Sequence, residues 1–471
     1  MPQPTVAIAG GGLAGLAAAC ALSDAGFRVT LFEKRPFLGG RASSWELPGT
    51  DEVVDNCQHV LFRVCTNLME FYDRIGVAGQ IRWYDEMNFI EPGGRTSIMK
   101  SSFLPAPLHT APSFLNFSFL SAADKLSISR ALIPLTLTAQ RDTGESFQHW
   151  LDQHRQSKTA VERFWRPILI SALSEELDLI SISAAAQVVR ESMKSPAARH
   201  MGVPTVPLTD LYNKAGDYIR ARGGALHFRT SLAYLTPSES RVTVRTINRA
   251  SERPGQVPDI FDYFISALPF DALDAILLDT PGSAPLREKI SHFETAPITG
   301  IHLWFDRQIS DLDHAVLLDR TIQWMFHKSR LQPMRTQDGS AAGSYIELVV
   351  SSSKTLIDKS RSEIVDLALS EVREFFPAAR AANLVKSTVI KEVNATYSPR
   401  PGIDAHRPAA ATAWPRVFLA GDWTATGWPA TMEGAVRSGY LAAEALARAA
   451  GQPHKFLSPD LPATGLMRLF K

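Results

Sequence analysis

The chain has 471 residues, 45% of them hydrophobic, and a formal net charge of +1. This charge predicts no surface for nucleic acid, and three cysteines without a CxxC or His-x-x-x-His pairing indicate a reducing compartment and no metal site. No apolar run is long enough to span a bilayer, so we expect a soluble or peripheral protein of two to three domains.

The N-terminal segment predicts a strand, a tight turn and a helix in succession. Residues 5–9 are apolar and partly β-branched, residues 10–15 have the sequence GGGLAG, and residues 13–25 have helical character. A G-x-G-x-x-G spacing between a strand and a helix is typical of dinucleotide-binding proteins. The cofactor contacts predicted here are Gly10, Gly12, Leu13, Ala14 and Gly15.

Each glycine of this motif has a predicted role. Gly10 allows the tight turn, Gly12 leaves room for the pyrophosphate, and Gly15 lets the helix pack closely on the sheet. A second predicted strand, residues 28–33, ends in Glu33, 18 residues after Gly15, and its carboxylate would accept hydrogen bonds from a ribose. The motif does not distinguish FAD from NAD.

The next motif favours FAD. Residues 38–43 have the sequence LGGRAS, which places a backbone turn and a cation beside the predicted phosphate site. It resembles the GGR segment of the flavin amine oxidase and carotenoid desaturase superfamily. The resemblance implies FAD as the cofactor, with further contacts from Lys34, Gly39, Gly40, Arg41 and Ala42.

The uncharged segment 101–120 has two interpretations. It contains four phenylalanines and four leucines, and its prolines prevent a continuous helix at the start. It is either a buried cover over a substrate cavity or a contact with a membrane surface, and the apolar tail 461–471 could lie on the same surface.

The remaining patterns predict an α/β fold. A Rossmann-like FAD-binding domain is assembled from separated segments, and an α+β substrate domain contains a mixed sheet and a helical portion. The predicted segments are 1–80, 205–270 and 390–450 for the FAD-binding domain, 81–204 and 271–389 for the substrate domain, with its helices at about 103–200, and 451–471 for the tail. Within the substrate domain we expect a hairpin at 87–99, strands at 298–305 and 345–350, and a helix at 360–376.

A second part of the cofactor site is predicted about 400 residues after the first. The apolar run 417–420 precedes a Gly-Asp pair, and residues 428–439 open a helix that ends near residue 450. The start of this helix would direct N–H groups at the flavin. The contacts predicted here are Gly421, Asp422, Thr431, Met432 and Ala435.

Several segments resemble the squalene-associated FAD-dependent desaturases, a group that includes hydroxysqualene dehydroxylases. They are VDNCQHV at 54–60, CTNL at 65–68, FWRP at 164–167, QWMF at 323–326, GDWTATGWPATMEGA at 421–435 and LSPDLP at 457–462. Two positions depart from the group, because Cys57 stands where glycine is expected and Ala425 where aspartate is expected.

The resemblance implies a reaction in which reduced flavin converts hydroxysqualene to squalene with loss of water, in squalene and hopanoid synthesis. His59 would donate or relay the proton, Asp55 would hold or charge His59, and Gln58 would lie with His59 along the flavin. Trp165, Trp324 and Trp428 are candidate aromatic walls. The implied partners are a long polyprenyl lipid, the inner face of the cell membrane, and enzymes similar to squalene and phytoene synthases.

Other functions remain open. A desaturase of the phytoene or carotene type, or a porphyrinogen oxidase, would run hydride transfer towards the flavin instead. An amine oxidase is disfavoured because Thr431 stands where those enzymes place a tyrosine, and a flavin-free prenyl-chain chaperone is disfavoured by the intact glycine motif, Glu33 and Asp422.

Overall fold

The structure is a computed structural model that describes residues 3–50, 52–138, 140–248, 259–278, 280–332 and 343–470. The strands are β1 (Thr5–Ala9), β2 (Arg28–Phe32), β3 (Ser44–Glu46), β4 (Val53–Asp55), β5 (Leu61–Phe62), β6 (Ile81–Tyr84), β7 (Glu86–Ile90), β8 (Thr96–Lys100), β9 (Met201–Pro204), β10 (Ala225–His227), β11 (Thr230–Pro237), β12 (Val242–Asn248), β13 (Asp259–Phe261), β14 (Tyr263–Ser266), β15 (Thr295–Phe305), β16 (His314–Leu317), β17 (Trp324–His327), β18 (Tyr345–Ser351), β19 (Leu384–Tyr397) and β20 (Val417–Leu419). The helices are α1 (Leu13–Asp24), α2 (Thr66–Arg74), α3 (Ala111–Leu115), α4 (Ala122–Leu137), α5 (Phe147–Gln153), α6 (Lys158–Ala160), α7 (Arg166–Leu173), α8 (Ile182–Met193), α9 (Leu208–Arg220), α10 (Phe270–Leu277), α11 (Ala284–Ile290), α12 (Lys328–Leu331), α13 (Arg361–Phe375) and α14 (Met432–Ala449).

A parallel sheet with the strand order β10-β2-β1-β14-β20 joins segments from both ends of the chain. Helix α1 packs between this sheet, α9 and α14, and all of its residues from Leu13 to Ser23 are buried. Small side chains make this possible, because Gly439 of α14 lies so close to α1 that a Cβ atom there would be 2.2 Å from the Ala14 carbonyl oxygen. The predicted Rossmann-like α/β class is confirmed.

A second sheet of seven strands has the order β19-β15-β18-β17-β16-β7-β8. It is mixed, because β16 and β7 run parallel and the other neighbouring strands run antiparallel. Alternation along the strands gives it two faces. One face packs on α13 through residues such as Ile301 and Leu303, and the other carries Ile298, Trp324 and Val349.

Helices α3 to α8 form a third apolar cluster beside this sheet. The hairpin and the strands and helix predicted for the substrate domain all form, within one to three residues of the expected ends. The division of the chain into the predicted domains stays a prediction. Within the described part of the chain, no helix is both long and apolar enough to cross a membrane.

Segment 101–120 combines the two interpretations that its composition allowed. Phe114, Phe117 and Phe119 are buried against one another, whereas Phe103 is 97% exposed. The C-terminal tail lies on the same segment, since the Leu466 amide donates to the carbonyl of Ala106 at 2.8 Å. Both a cover and an exposed apolar surface are therefore present.

Candidate functional site

A cavity of about 1000 Å³ extends from the carboxyl end of the parallel sheet to the apolar face of the seven-stranded sheet and to helices α4, α7 and α8. It is lined by residues from both predicted halves of the cofactor site. These are Gly10, Gly12, Leu13, Ala14, Glu33, Lys34, Gly39, Gly40, Arg41, Ala42, Gln58, His59, Gly421, Asp422, Thr431, Met432 and Ala435. The structure therefore brings the two distant motifs to one space.

The predicted contact at Gly15 is not part of this lining. A Cβ atom on Gly15 would lie 1.9 Å from the carbonyl oxygen of Gly10, so the residue serves close packing of α1 on the turn. Gly12 differs, because the nearest atom to its hypothetical Cβ is the Gly40 Cα at 3.8 Å. Gly12 thus leaves open space at the start of α1, where backbone N–H groups are free to bind an anion.

The Glu33 side chain is fixed at the end of β2. Its Oε2 atom accepts a hydrogen bond from the Gly11 amide at 2.6 Å, and its Oε1 atom accepts one from the Arg35 amide at 2.7 Å. The residue is 5% exposed. Each carboxylate oxygen can still accept a second hydrogen bond, as a ribose hydroxyl would require.

An ion pair joins the two halves of the cavity. Arg41 Nη2 lies 2.7 Å from Asp422 Oδ1, and Arg41 Nη1 donates to the carbonyl of Ala395 at 2.7 Å. The prediction placed Arg41 beside a phosphate and Asp422 in contact with the cofactor. The structure pairs them, and Asp422 Oδ2 makes no hydrogen bond among the residues described.

Helix α14 begins at the cavity with Thr431 as its N-cap, whose Oγ1 atom accepts a hydrogen bond from the Gly434 amide at 3.1 Å. The irregular segment before it is held by Arg407, which the sequence analysis missed. This buried guanidinium donates to the carbonyl oxygens of Asp422, Thr424 and Trp428 at 2.7–3.1 Å and to Thr426 Oγ1 at 3.0 Å.

His59 lines the cavity with its ring in a defined tautomer. Its Nδ1 atom is 2.8 Å from the carbonyl oxygen of Cys57. Because a carbonyl only accepts hydrogen bonds, Nδ1 carries the proton. Burial lowers the pKa of His59 below its ordinary value of 6.5, so the ring is neutral near pH 7 and Nε2 is bare. The geometry therefore favours a proton acceptor, whereas the prediction was a proton donor or relay.

Asp55 makes no hydrogen bond to His59 among the residues described, so of the two roles predicted for it, holding or charging His59, only the electrostatic one remains: its charge raises the pKa of the imidazole. Its carboxylate accepts hydrogen bonds from Ser44 Oγ at 2.6 Å, the Leu208 amide at 3.1 Å and Lys328 Nζ at 2.6 Å. The side chain is 1% exposed and does not line the cavity. The reason is the pleat of β4, which directs Asp55 towards α9 and the second sheet.

Gln58 connects His59 to the buried pair of Asp55 and Lys328. Its Nε2 atom donates to the His59 carbonyl at 3.0 Å, and its Oε1 atom accepts from Lys328 Nζ at 2.9 Å. Lys328 itself is 1% exposed, and Glu347 Oε2 lies 3.5 Å from its Nζ atom. The signals in the sequence were a lysine directly after the run 324–327 and a glutamate inside the apolar run 345–350.

Comparisons with known proteins identify the family of this chain. The family model described as flavin containing amine oxidoreductase matches residues 13–447. The chain belongs to this family. It is an FAD-dependent oxidoreductase, so the predicted cofactor is confirmed.

Two desaturases are similar to this chain over almost their full length. The 15-cis-phytoene desaturase of Synechococcus elongatus is 27% identical over 459 residues, which cover 94% of this chain and 95% of the relative. The zeta-carotene desaturase of Synechocystis sp. is 26% identical over 476 residues, covering 94% and 96%. The match to desaturases thus spans nearly the whole of both chains.

Solved structures share the fold. Putrescine oxidase bound to putrescine aligns with a TM-score of 0.70 at 16% identity and covers 96% of this chain and 99% of its own. An oxidoreductase from Methanosarcina mazei aligns with a TM-score of 0.68 at 17% identity and covers 92% and 98%. At these identities the likeness concerns the fold.

The residues present fit FAD. The open space at Gly12, the free start of α1, the spare lone pairs of Glu33 and the start of α14 would hold the phosphates, a ribose and the edge of the ring system. The sequence analysis missed part of this lining at Thr230, Ser231, Ala267, Leu268 and Ala272.

Beyond the cofactor end, the cavity is apolar and aromatic. All three predicted tryptophans line it. Two of them donate their indole N–H groups to other side chains, Trp165 to Gln156 Oε1 at 3.0 Å and Trp324 to Ser171 Oγ at 2.7 Å. The rim includes Leu108 and Ile133, which are 47% and 58% exposed.

One group of possible metal ligands lies outside the cavity. Side-chain ligand atoms of Glu288, His292 and His406 lie within 4.8 Å of one another near the surface. The two imidazole rings stack with their centroids 3.6 Å apart. Because none of the three residues lines the cavity, the group takes no part in the site described above.

Proposed function

We propose that this chain is an FAD-dependent desaturase of a long polyprenoid hydrocarbon. The observation that carries the proposal is the apolar, aromatic extension of the cofactor cavity with the bare Nε2 atom of His59 in its wall. The 26–27% identity to phytoene and zeta-carotene desaturases over nearly the whole chain supports the same substrate class. Beyond the residues assigned to the cofactor, the lining from α4, α7 and the seven-stranded sheet is mainly apolar and aromatic, which suits a hydrocarbon chain better than a charged amine.

The proposed site residues are those predicted to line the cofactor space, with the roles now revised. Gly10, Gly12, Leu13 and Ala14 would surround the phosphates, and Glu33 would bind the ribose. Gly15 would act through packing, and Asp55 through Lys328. His59 and Gln58 would form the wall beside the substrate.

Desaturation removes a hydride from one carbon and a proton from its neighbour, and a double bond forms between the two. FAD, when bound, takes up the hydride. We assign the proton to His59 Nε2, which is unprotonated in the tautomer set by the Cys57 carbonyl. The aromatic walls would exclude water from a developing positive charge.

The test is turnover of the purified, FAD-loaded protein. We expect 15-cis-phytoene in detergent micelles, with a quinone as electron acceptor, to yield products with additional conjugated double bonds. His59→Gln should retain FAD and lower kcat by roughly 10²-fold, the usual contribution of a general base. Full FAD occupancy without any product from phytoene or zeta-carotene would contradict the proposal.

A second candidate is the reductive dehydroxylation of hydroxysqualene. The specific observation in its favour is the sequence of residues 54–60 and 421–435, which resembles squalene-associated desaturases. This direction requires a proton donor, whereas a neutral His59 with a bare Nε2 offers none. Anaerobic incubation of the dithionite-reduced protein with hydroxysqualene, followed by analysis for squalene, separates the two candidates.

We also propose that the protein takes its substrate from a membrane surface at the cytoplasmic face. Phe103, Leu115 and Leu469 are 97%, 62% and 76% exposed, and they lie on the two segments that meet near the rim of the cavity. An exposed apolar surface of this kind suits contact with lipid. Enzymes that make long prenyl chains, similar to squalene or phytoene synthases, would supply the substrate.

A further inference from the structure

A layer of buried polar side chains lies directly behind the wall that carries His59. Glu347 and His302 extend from the face of the seven-stranded sheet that also carries Trp324 and Val349, and Lys328 follows β17 as the first residue of α12. All three are at most 1% exposed. None of them lines the cavity, because residues 55–59 lie between them and its interior.

The segment 55–59 is held tightly on this layer. Gly300 of β15 allows the approach, since a Cβ atom there would be 2.9 Å from the Asn56 carbonyl oxygen and 3.7 Å from the Cys57 Cα. Lys328 supplies the polar anchor with its Nζ atom 2.6 Å from Asp55 and 2.9 Å from Gln58. One ammonium therefore binds both ends of the turn that precedes His59.

The connection to the imidazole is continuous. Lys328 donates to Gln58 Oε1, Gln58 Nε2 donates to the carbonyl of His59, and His59 Nδ1 donates to the carbonyl of Cys57. Each step fixes the backbone or the ring of the next residue. Burying a lysine together with its paired carboxylate costs desolvation free energy. We therefore expect Lys328 to have a role beyond stability.

We propose that Lys328 is a positioning residue for His59: by binding Asp55 and Gln58 from behind, it holds residues 55–59 so that His59 offers a bare Nε2 atom to the cavity. The proposal rests on the proposed function of His59 as the proton acceptor. Three charged groups act on His59 from the elements around it. Asp55 raises its pKa, whereas Arg41 and Lys328 lower it.

The tautomer of His59 provides a test that does not require turnover. In ¹⁵N-histidine-labelled holoprotein, long-range ¹⁵N–¹H correlations distinguish Nδ1–H from Nε2–H, and the His59 signals are assigned by their loss in His59→Asn. We expect the native protein to show the Nδ1–H form in excess by about tenfold, the worth of one buried hydrogen bond. A predominant Nε2–H form would overturn the proposal.

Two variants separate anchoring from charge. Lys328→Met removes a cation and leaves Asp55 unpaired, so the pKa of His59 should rise, at some cost in folding. The double variant Asp55→Asn with Lys328→Met removes one charge of each sign, and we expect it to fold, bind FAD and show the two tautomers in comparable amounts. If the Nδ1–H form still predominates in the folded, FAD-loaded double variant, Lys328 does not position His59 and has a structural role alone.

Lys354→Met is the control. The Lys354 side chain is 38% exposed and pairs with the buried Glu175 at 2.5 Å, and neither residue lines the cavity. Its His59 signals should match the native ones. If the native protein lacks desaturase activity but the tautomer responds as expected, the proposed function fails while the positioning role stands. If the protein desaturates phytoene but the tautomer does not respond, the positioning role fails alone.

Discussion

At the residue scale, the chemistry of the site depends on buried polar groups that differ in how many hydrogen bonds they make. Asp55 is fully satisfied, whereas neither carboxyl oxygen of Glu347 makes a hydrogen bond with a described residue. Burial raises the pKa of Glu347 from 4.5 to about 8, although the nearby Lys328 opposes this effect. The folded protein therefore favours the protonated form of Glu347 more strongly than the unfolded chain does.

This carboxyl predicts a pH-dependent stability. Between about pH 4.5 and pH 8 the folded state holds a proton that the unfolded state has lost, so the free energy of unfolding falls as pH rises. Glu347→Gln cannot titrate, and its stability relative to the native protein should increase by at least about 1 kcal/mol by pH 8. Denaturant unfolding from pH 5 to pH 8 measures this, with Glu239→Gln as an exposed control. The prediction is contradicted if the free energy of unfolding changes with pH in the same way for the native protein and for Glu347→Gln.

Gly12 predicts a loss of cofactor without a loss of fold. A Cβ atom at this position meets no protein atom closer than 3.8 Å and the backbone is extended, so a side chain can start there, and Gly12→Val would fill the space assigned to the pyrophosphate. We expect FAD affinity to fall by about tenfold or more, because charged hydrogen bonds are lost. The ratio of flavin absorbance to protein absorbance, compared with that of Gly79→Val at an exposed open site, gives the answer.

At the scale of elements, an irregular segment between β20 and α14 is held by one side chain. Arg407 binds four oxygen atoms of residues 422–428, and its partner Asp404 is half exposed. A segment without backbone ladders depends on such side-chain hydrogen bonds for its shape. Arg407 therefore shapes the approach to Asp422 and to the start of α14.

Arg407→Met should destabilise the protein by about 2–4 kcal/mol and release FAD, because buried carbonyl groups lose their donor. Differential scanning fluorimetry with and without added FAD measures both effects. Arg380→Met is the control, since Arg380 is exposed and donates only to the carbonyl of Arg373 at 3.1 Å. Unchanged FAD binding in Arg407→Met would show that the segment keeps its shape without this side chain.

Sequence patterns predicted the helices and strands well where the hydrophobic periodicity and a capping or turn residue indicate the same boundary. The unit β1–α1–β2 and helix α13 follow directly from apolar runs that end at glycine or begin at a serine cap. The orientation of Asp55 could not be predicted, because alternation along a strand defines two faces but does not say which one meets the cavity. Likewise, Lys328 and Glu347 meet only through strand pairing between β17 and β18, which the separate runs do not specify.

At the scale of the whole molecule, exposed apolar side chains gather where two distant segments meet. Phe103 and Leu469 are the most exposed of them. The rim residues Leu108 and Ile133 continue this surface into the cavity. A lipid substrate could pass from a bilayer to the reaction site along such a surface without crossing water.

The double substitution Phe103→Ser with Leu469→Ser should weaken binding to phospholipid vesicles by about tenfold, since two large apolar side chains no longer enter the bilayer. Vesicle co-sedimentation measures the change. Val385→Ser, which alters an apolar side chain 69% exposed on β19, is the matched control. Equal sedimentation of the double variant and the native protein would place the membrane contact elsewhere.

The ion pair between Arg41 and Asp422 has a consequence for biosynthesis. Its partners are separated by 381 residues, and the wall that completes the same space reaches Ala435. A ribosome must therefore translate as far as residue 435 before this space can close. Nascent N-terminal segments emerge without a finished nucleotide pocket, so uptake of the yellow coenzyme is a late event in maturation that the first βαβ unit cannot accomplish alone.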